Sequence, residues 1–265
     1  MTIGIPFLNK KPTVAVLRLT GTIAAGGRGQ LNDQTLAPYI EKAFTKGKPA
    51  AVALVINSPG GSPVQSSLIA ARVRRLADEK KLPVFAFVED VAASGGYWLA
   101  VSADEIWVDP GSIVGSIGVI SAGFGAPAFL ERQGLERRVY TAGKSKSTLD
   151  PFRAEKPEDV AHLKTILDQL HEVFITQVKT RRGPKLTETQ DLFSGQFWTG
   201  QRAVELGLVD GIGHLVPMMK DRFGDKVQFR AYDMKRNFLM RLGASMVQDA
   251  FAGVEERAQF ARFGL

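Results

Sequence analysis

The stretch LPVFAFVEDVAASGGYWLAVSA, residues 82–103, determines the predicted fold class. Its first seven residues predict a buried strand, and residues 97–103 predict a helix rich in small and apolar side chains. Ser94 therefore lies at a strand-to-helix turn, where its Oγ is exposed and the first backbone N–H groups of the helix have no helical partner. Such a turn suits an acyl-transfer nucleophile, because those N–H groups can stabilise a developing oxyanion. A plain N-cap is the alternative interpretation, since serine favours that position.

Strands and helices alternate along the rest of the chain. The predicted strands are residues 14–19, 51–57, 105–108, 117–120 and 229–232, and the predicted helices are residues 36–44, 63–78 and 159–181. The strand at 51–57 is apolar almost throughout, which is typical of a parallel sheet covered on both faces. This alternation predicts an α/β fold with parallel strands.

The composition excludes several classes of site. The 265 residues are 45% hydrophobic and 23% charged, which is ordinary for a soluble globular protein. Without a cysteine, the chain has no disulfide, thiolate metal ligand or cysteine nucleophile. The histidines are His162, His171 and His214; they do not cluster with acidic residues, and we expect the first two to have surface or core roles. We therefore expect neither a metal ion nor a cofactor.

The net charge and the terminal sequences indicate which partners and which cellular location to expect. The charge of +7 is scattered rather than striped, so no nucleic acid partner is expected, while peripheral membrane contact stays open. Residues 1–11 are too short and polar for a signal peptide, and no run approaches the ~20 apolar residues of a membrane span. We expect a cytoplasmic protein. An apolar stripe from Phe238 to Phe260 predicts a helical face packed on the core or another subunit, with a membrane-surface helix as the alternative.

Two glycine-rich segments bear on Ser94. The segment NSPGGS, residues 57–62, follows a predicted strand and precedes a helix, and its glycines let backbone N–H groups turn toward a bound group. An ordinary strand-to-helix loop is the alternative. The segment GSIVGSIGVI, residues 111–120, places Ser116 among apolar residues. A hydroxyl there needs a hydrogen-bond partner, for which a lysine amine is suitable.

A lysine-containing segment, GKSKS at residues 143–147, offers a general base. Burial disfavours the charged form of a lysine and so lowers its pKa. A desolvated lysine can then take the proton of a serine hydroxyl, as in Ser-Lys variants of nucleophilic catalysis. The alternative is a solvated loop, and the pattern alone leaves both Lys144 and Lys146 as candidates.

These four segments, in this order, resemble the bacterial signal peptide peptidase A family of serine peptidases, within the Clp-protease/crotonase superfold. The resemblance extends over residues 13–215. NSPGG resembles the family's oxyanion loop, ASGGY at 93–97 its nucleophile motif, and GSIGV at 115–119 the segment whose serine holds the lysine amine. The Lys-Ser pair at 146–147, followed by Asp-Pro-Phe at 150–152, resembles the general-base motif and selects Lys146 over Lys144.

The resemblance implies a role for each site residue. Ser94 would be the nucleophile, Lys146 the general base and Ser116 the residue that orients the lysine amine. The backbone N–H groups of Gly61 and Gly95 would form the oxyanion hole. The resemblance also implies a core of repeated β-β-α units with helices packed around the sheets and a helical C-terminal extension.

The implied organisation is a peptidase domain at residues 13–216, preceded by a segment at 1–12. An extension at 217–265 would serve packing or oligomerisation. The resemblance implies short, apolar, unfolded peptides as substrates and a ring or dome of identical subunits. From this sequence we expect neither the membrane anchor nor the tandem duplication of longer members, so the serine and the lysine would come from different subunits. The alternative function is a crotonase-like acyl-CoA enzyme or a catalytically silent scaffold on the same fold.

Overall fold

A mainly parallel sheet forms the centre of the computed structural model, which describes residues 11–26, 30–187, 191–233 and 257–265. Within those residues the sheet has eight strands, in the spatial order β6-β5-β3-β2-β1-β8, and β4 pairs with both β3 and β7. The strands are β1 Thr13–Thr20, β2 Ala51–Ser58, β3 Val84–Ala93, β4 Glu105–Val108, β5 Ile113–Gly115, β6 Phe197–Thr199, β7 Gly211–Ile212 and β8 Gln228–Ala231. The β5–β6 pair is antiparallel, whereas the other pairs are parallel.

Helices cover both faces of this sheet. They are α1 Asp33–Thr45, α2 Pro63–Lys80, α3 Gly95–Ala100, α4 Pro127–Arg132, α5 Pro157–Arg182, α6 Gly200–Glu205 and α7 Leu215–Phe223. A short 3-10 helix, Gly183–Lys185, follows α5, and residues 257–261 are helical as well. Among the described helices, none is both long and apolar enough to cross a bilayer.

Alternation along β1 and β2 divides the core into two layers. Leu17 and Leu54 point to the larger layer, which α1, α2, α3 and α5 complete. Val16 and Val55 point to the smaller layer, where Met219 of α7 packs on them. Because strand side chains alternate between faces, a strand covered on both sides must be mostly apolar, as β2 is from Ala51 to Ile56. The parallel sheet therefore follows directly from the apolar run at 51–57.

The helices and strands predicted from the sequence agree with those of the structure, with one exception. The strands at 14–19, 51–57, 105–108 and 229–232, the helices at 36–44, 63–78 and 159–181, and the strand and helix around Ser94 are confirmed within a few residues. The strand predicted at 117–120 is wrong, because the paired strand is β5, which ends at Gly115. Ser116 has a φ of +52°, and the Gly118 amide donates to the Ser116 carbonyl over 2.9 Å. That turn ends the pairing, which apolar content alone does not reveal.

The C-terminal part of the chain is described only in pieces. The predicted boundary between residues 216 and 217 falls within α7, and β8 pairs with β1 in the main sheet. Most of the apolar stripe predicted from Phe238 to Phe260 lies outside the described residues. Its role in packing or oligomerisation stays a prediction.

A buried ion pair joins the end of α5 to the residues before β7. The Arg182 side chain is 3% exposed, and its Nη1 donates to Asp210 Oδ2 over 2.7 Å. Its Nε and Nη2 both donate to the Gly207 carbonyl, so all three nitrogens of the planar guanidinium donate a hydrogen bond. The Tyr97 hydroxyl, from α3, donates to the Leu208 carbonyl over 2.7 Å. The helix that follows Ser94 is thus fastened to the same loop as the end of α5.

Candidate active site

Ser94 occupies a strained turn between β3 and α3. Its φ is +51° and its ψ is −121°, a conformation that residues with a side chain rarely adopt. Its amide donates to the Gly115 carbonyl over 2.8 Å, and its carbonyl accepts from the Trp98 amide over 3.0 Å. These bonds hold the backbone on both sides of the turn while the half-buried side chain lines a cavity. A strained backbone conformation that is held in place by surrounding hydrogen bonds is frequent at functional sites.

Glycines at this turn let three backbone segments meet. A Cβ on Gly60, whose φ is +101°, would lie 2.7 Å from both the Ala93 carbonyl oxygen and the Gly95 nitrogen. A Cβ on Gly96 would overlap the Ser58 carbonyl oxygen, at the end of β2. Only glycine fits such close approaches, so the loop after β2 packs directly against the start of α3.

The N–H groups of Gly61 and Gly95 have the properties expected of an oxyanion hole. The Gly61 nitrogen lies 3.3 Å from the position that a Cβ on Gly95 would take, so the two backbones are adjacent. No acceptor for either N–H exists among the described residues. Gly95 is the first residue of α3, where the helix dipole favours negative charge. The structure thus places the two glycines side by side next to Ser94, while their role as an oxyanion hole stays a proposal.

Ser94 faces a cavity of about 410 Å³. Its lining combines small, hydroxyl and apolar residues: Pro59, Gly61, Ser94, Ser116, Gly118, Val119, Ile120, Ser194, Gly195, Gln259, Arg262 and Phe263. The structure thus brings three sequence-predicted site residues, Ser94, Ser116 and Gly61, to one cavity. Gly95 lies at the adjoining helix start.

The backbone of Ser116 is fixed from two sides. Its amide donates to the Gln196 carbonyl over 2.7 Å, just before β6, and its own φ is +52°. The neighbouring Ile117 carbonyl lies 3.0 Å from Nε2 of His171, on α5. His171 was expected to be a surface or core residue, and its contact with Ile117, between the lining residues Ser116 and Gly118, was not predicted. A lone histidine on a helix gives no sequence signal for the loop that it meets.

Lys146 does not line this cavity. It lies in an exposed turn, where its amide donates to the Gly143 carbonyl over 3.2 Å, and Lys144 is exposed in the same turn. The turn is anchored through Asp150, which accepts from the Phe152 amide over 3.0 Å and pairs with Arg137 at 3.3 Å. The Phe152 amide and, less strongly, Arg137 lower the pKa of Asp150 against the opposing effect of burial. Within one chain, therefore, the structure does not bring the predicted base to the predicted nucleophile.

Three residues of the cavity wall come from the end of the chain and were also missed. Gln259, Arg262 and Phe263 belong to the C-terminal segment, which we define as residues 257–265. The sequence pattern assigned this region to packing or oligomerisation and gave no indication that it reaches Ser94. The described residues contain no cluster of three or more histidine or acidic side chains that would suit a metal ion.

Comparison with family models and curated proteins gives consistent matches. The model of peptidase family S49 matches residues 76–221. A Brucella melitensis protein named Na(+)/H(+) antiporter NhaA is 47% identical over 271 residues, covering 95% of this chain and 37% of its own length. A candidate protease of Synechocystis sp. is 32% identical over 200 residues, covering 76% of this chain and 69% of its own. The chain thus spans little more than a third of the Brucella relative.

Comparison with solved structures supports the fold. A lysine-to-alanine mutant of the 1510-N membrane-bound stomatin-specific protease, in complex with a substrate peptide, matches with a TM-score of 0.53. The match covers 92% of this chain and 98% of that one at 15% identity. At this identity the likeness speaks for the fold, and it confirms the predicted α/β class with a Clp-protease/crotonase-like core.

Proposed function

Because the chain belongs to peptidase family S49, a family of serine proteases, we propose that it hydrolyses peptide bonds with Ser94 as nucleophile and Lys146 as general base. One observation carries the proposal: the strained Ser94 turn faces a cavity beside two backbone N–H groups that have no acceptor among the described residues. Acyl transfer requires a nucleophile, here the Ser94 hydroxyl, and an oxyanion hole, here the two backbone N–H groups.

The proposed reaction proceeds in two halves. The Ser94 Oγ attacks the peptide carbonyl carbon while neutral Lys146 Nζ accepts the hydroxyl proton. The carbonyl oxygen becomes an oxyanion, which accepts hydrogen bonds from the amides of Gly61 and Gly95. When the tetrahedral intermediate collapses, the Lys146 ammonium gives its proton to the leaving amine, and an acyl-Ser94 ester remains. Water then attacks the ester with Lys146 again as base, which releases the acid and restores Ser94.

We assign Lys146 to the active site of a neighbouring subunit in a ring or dome. This assignment accounts for two observations together: Ser94 lines the cavity, whereas Lys146 lies in an exposed turn of the same chain. Ser116 lines the same cavity as Ser94 and would hold the incoming amine. Burial between subunits would also desolvate Lys146, which favours the neutral base.

The proposed substrates are short, apolar, unfolded peptides, such as the remnants of signal peptides. Val119 and Ile120 give the cavity an apolar wall, and Ile120 is 66% exposed, so it is available for contact with a peptide side chain. A cavity of about 410 Å³ admits a few side chains of an extended peptide and excludes a folded domain. Peripheral association with a membrane would bring the enzyme close to such peptides.

A fluorophosphonate probe tests the nucleophile. We expect the probe to label the native chain at Ser94, and we expect Ser94→Ala to abolish both labelling and peptide hydrolysis. A chain that resists the probe and hydrolyses no peptide would instead fit the crotonase-like or silent alternative.

Lysine variants test the base. Lys146→Ala should abolish hydrolysis, because general-base catalysis typically contributes about 10²–10⁴-fold in rate. Lys144→Ala is the matched control, since it removes the same charge from the same exposed turn and should remain active. Full activity in Lys146→Ala together with loss in Lys144→Ala would show that the wrong lysine was assigned.

A further inference from the structure

The C-terminal segment forms part of the wall of the Ser94 cavity. Gln259, Arg262 and Phe263 line it together with Ser94 and Ser116. The end of this chain therefore lies beside the space that a bound peptide would occupy, although it is separated from Ser94 by more than 160 positions in sequence. Residues so placed contact whatever occupies the cavity.

An aromatic contact holds the C-terminal segment against the rest of the protein. The ring of Phe263 packs edge-to-face on Phe197 of β6, with centroids 5.1 Å apart. The backbone bonds of this turn, from the amides of Phe263, Gly264 and Leu265, all go to carbonyls within the segment itself. The segment thus has its own folded turn, and Phe263 fixes its position beside the cavity. Arg262 is the residue immediately before Phe263.

Arg262 supplies the cavity's charge. Of the described residues that line the cavity, Arg262 alone carries a charged side chain, and the others are glycines, hydroxyl residues, an amide and apolar residues. Among the described residues, no ion pair involves its guanidinium. Its contact with the Phe263 ring, at 5.9 Å from the centroid, is a loose one. An exposed guanidinium in an otherwise uncharged cavity is suited to bind a carboxylate, with which it can form two parallel hydrogen bonds.

We propose that Arg262 is a specificity-determining residue that binds a carboxylate of the peptide substrate. The inference rests on the proposed peptidase function and deepens it: the preferred peptide is apolar around the bond that is cut and carries one carboxylate within reach of Arg262. That carboxylate is either the C-terminal carboxylate of a short peptide or the side chain of an aspartate or glutamate. Both sources offer the same bidentate partner to the guanidinium.

A binding experiment on Ser94→Ala separates recognition from turnover. The probes are three forms of one acetylated alanine- and leucine-rich peptide: a free C-terminal acid, the corresponding amide, and an amide with one internal glutamate. Fluorescence anisotropy gives the dissociation constant of each. We expect a carboxylate-bearing form to bind roughly fivefold more tightly than the plain amide, since one exposed ion pair is worth a factor of this order. The preference should weaken with added salt.

Arginine variants of the Ser94→Ala chain identify the residue responsible. Adding Arg262→Gln should bring the carboxylate-bearing peptides to the affinity of the plain amide. Adding Arg257→Gln is the matched control, because it removes the same charge from the same segment at a residue that does not line the cavity. This control should keep the preference.

The relative affinities of the three peptides test the inference and also identify the source of the carboxylate. Preference for the free acid assigns the C-terminal carboxylate, and preference for the glutamate peptide assigns a side chain. Equal binding of all three forms, absence of any peptide binding, or a preference that survives Arg262→Gln would each overturn the inference. Failure of the proposed function appears separately, as absence of probe labelling and hydrolysis in the native chain, because the binding assay requires no turnover.

Discussion

The amide of Ser94 donates a hydrogen bond to the carbonyl of Gly115 over 2.8 Å, and this bond joins the turn at Ser94 to the residue before Ser116. Ser94 and Ser116 both have φ near +50°, and Gly115 between them has a φ of +106°. Three backbone constraints of this kind, together with the bond between them, leave little freedom in the relative position of the two hydroxyls. The cavity is therefore preorganised by backbone geometry rather than by long side chains, which is an economical way to position reacting groups.

We expect Gly96→Ala to impair both stability and activity. The new Cβ would overlap the Ser58 carbonyl oxygen, so α3 must shift away from the loop that contains Gly60 and Gly61. Overpacking of this kind costs about 1–3 kcal/mol of unfolding free energy. A shift near 1 Å at the proposed oxyanion donors, Gly61 and Gly95, would lower the rate on the order of 100-fold. Denaturant unfolding and steady-state hydrolysis measure the two effects.

The control for this substitution is Gly123→Ala, where a Cβ would meet nothing within 4 Å. We expect that variant to unfold and to hydrolyse peptides as the native chain does. Native activity in Gly96→Ala would contradict the placement of α3 against the loop after β2.

Ser116→Ala should lower turnover without weakening peptide binding. If Ser116 orients the lysine amine, its loss disturbs proton transfer, so kcat falls on the order of tenfold or more while KM stays nearly constant. Ser194→Ala is the matched control. Ser194 lines the same cavity, but its hydroxyl already donates to the Asp191 carbonyl over 2.7 Å. Equal losses in both variants would indicate a general effect on the cavity and would contradict the orienting role.

Asp210 should contribute to stability in a pH-dependent way. Burial raises the pKa of Asp210, but hydrogen bonds from Arg182 and Lys185 outweigh that effect, so its pKa in the folded protein lies below the ordinary value. The unfolded chain then binds more protons at acidic pH. The stability from this group is present above the unfolded pKa of about 3.9 and is lost as the pH falls through the folded pKa.

The matching variant is Asp210→Asn, which leaves the Arg182 guanidinium buried without its counter-charge. We expect a loss of about 3 kcal/mol at neutral pH and a shallower decline of stability toward acid pH. Glu79→Gln is the control, because Glu79 pairs with Arg75 at the exposed surface, where such pairs contribute little. Urea unfolding between pH 3 and pH 7 measures both variants. An unchanged acid slope in Asp210→Asn would rule out the assigned cause.

Local patterns predicted most of the fold. The apolar run of β2, the helical spacing in α2 and α5, and the serine turn after β3 each determine their element from neighbouring residues alone. The resemblance to the signal peptide peptidase A family, inferred from four motifs, is confirmed by the family match. The strand predicted at 117–120 was wrong because the turn at Ser116 depends on its bond to Gln196, 80 residues away.

The candidate site was predictable only in part, for the same reason. Ser94, Gly61 and Gly95 lie on turns that glycine and serine mark locally, so sequence indicated them. The contact of His171 with the Ile117 carbonyl and the approach of Arg262 to the cavity depend on tertiary packing between distant segments. No periodicity or motif encodes such contacts, and a structure is needed to find them.

Subunit mixing tests whether Ser94 and Lys146 act across an interface. Two inactive variants, Ser94→Ala and Lys146→Ala, are dissociated, mixed and reassembled. If each site combines Ser94 of one subunit with Lys146 of its neighbour, some interfaces in the mixture pair two native residues. For random exchange at equal amounts, one interface in four has this composition, so we expect roughly a quarter of native activity, on the premise that the sites act independently.

Varying the proportion of the two variants in the mixture provides a second and more specific test. With a shared dyad, activity should follow the product of the two fractions and reach its maximum at equal amounts. If each chain carried its own dyad, every site would lack one residue, and no mixture would recover activity. Labelled subunits verify exchange, and light scattering gives the mass of the assembly. Absence of recovery despite verified exchange, or an active monomer, would contradict the shared site, whereas recovery would explain why Lys146 lies apart from Ser94 within one chain.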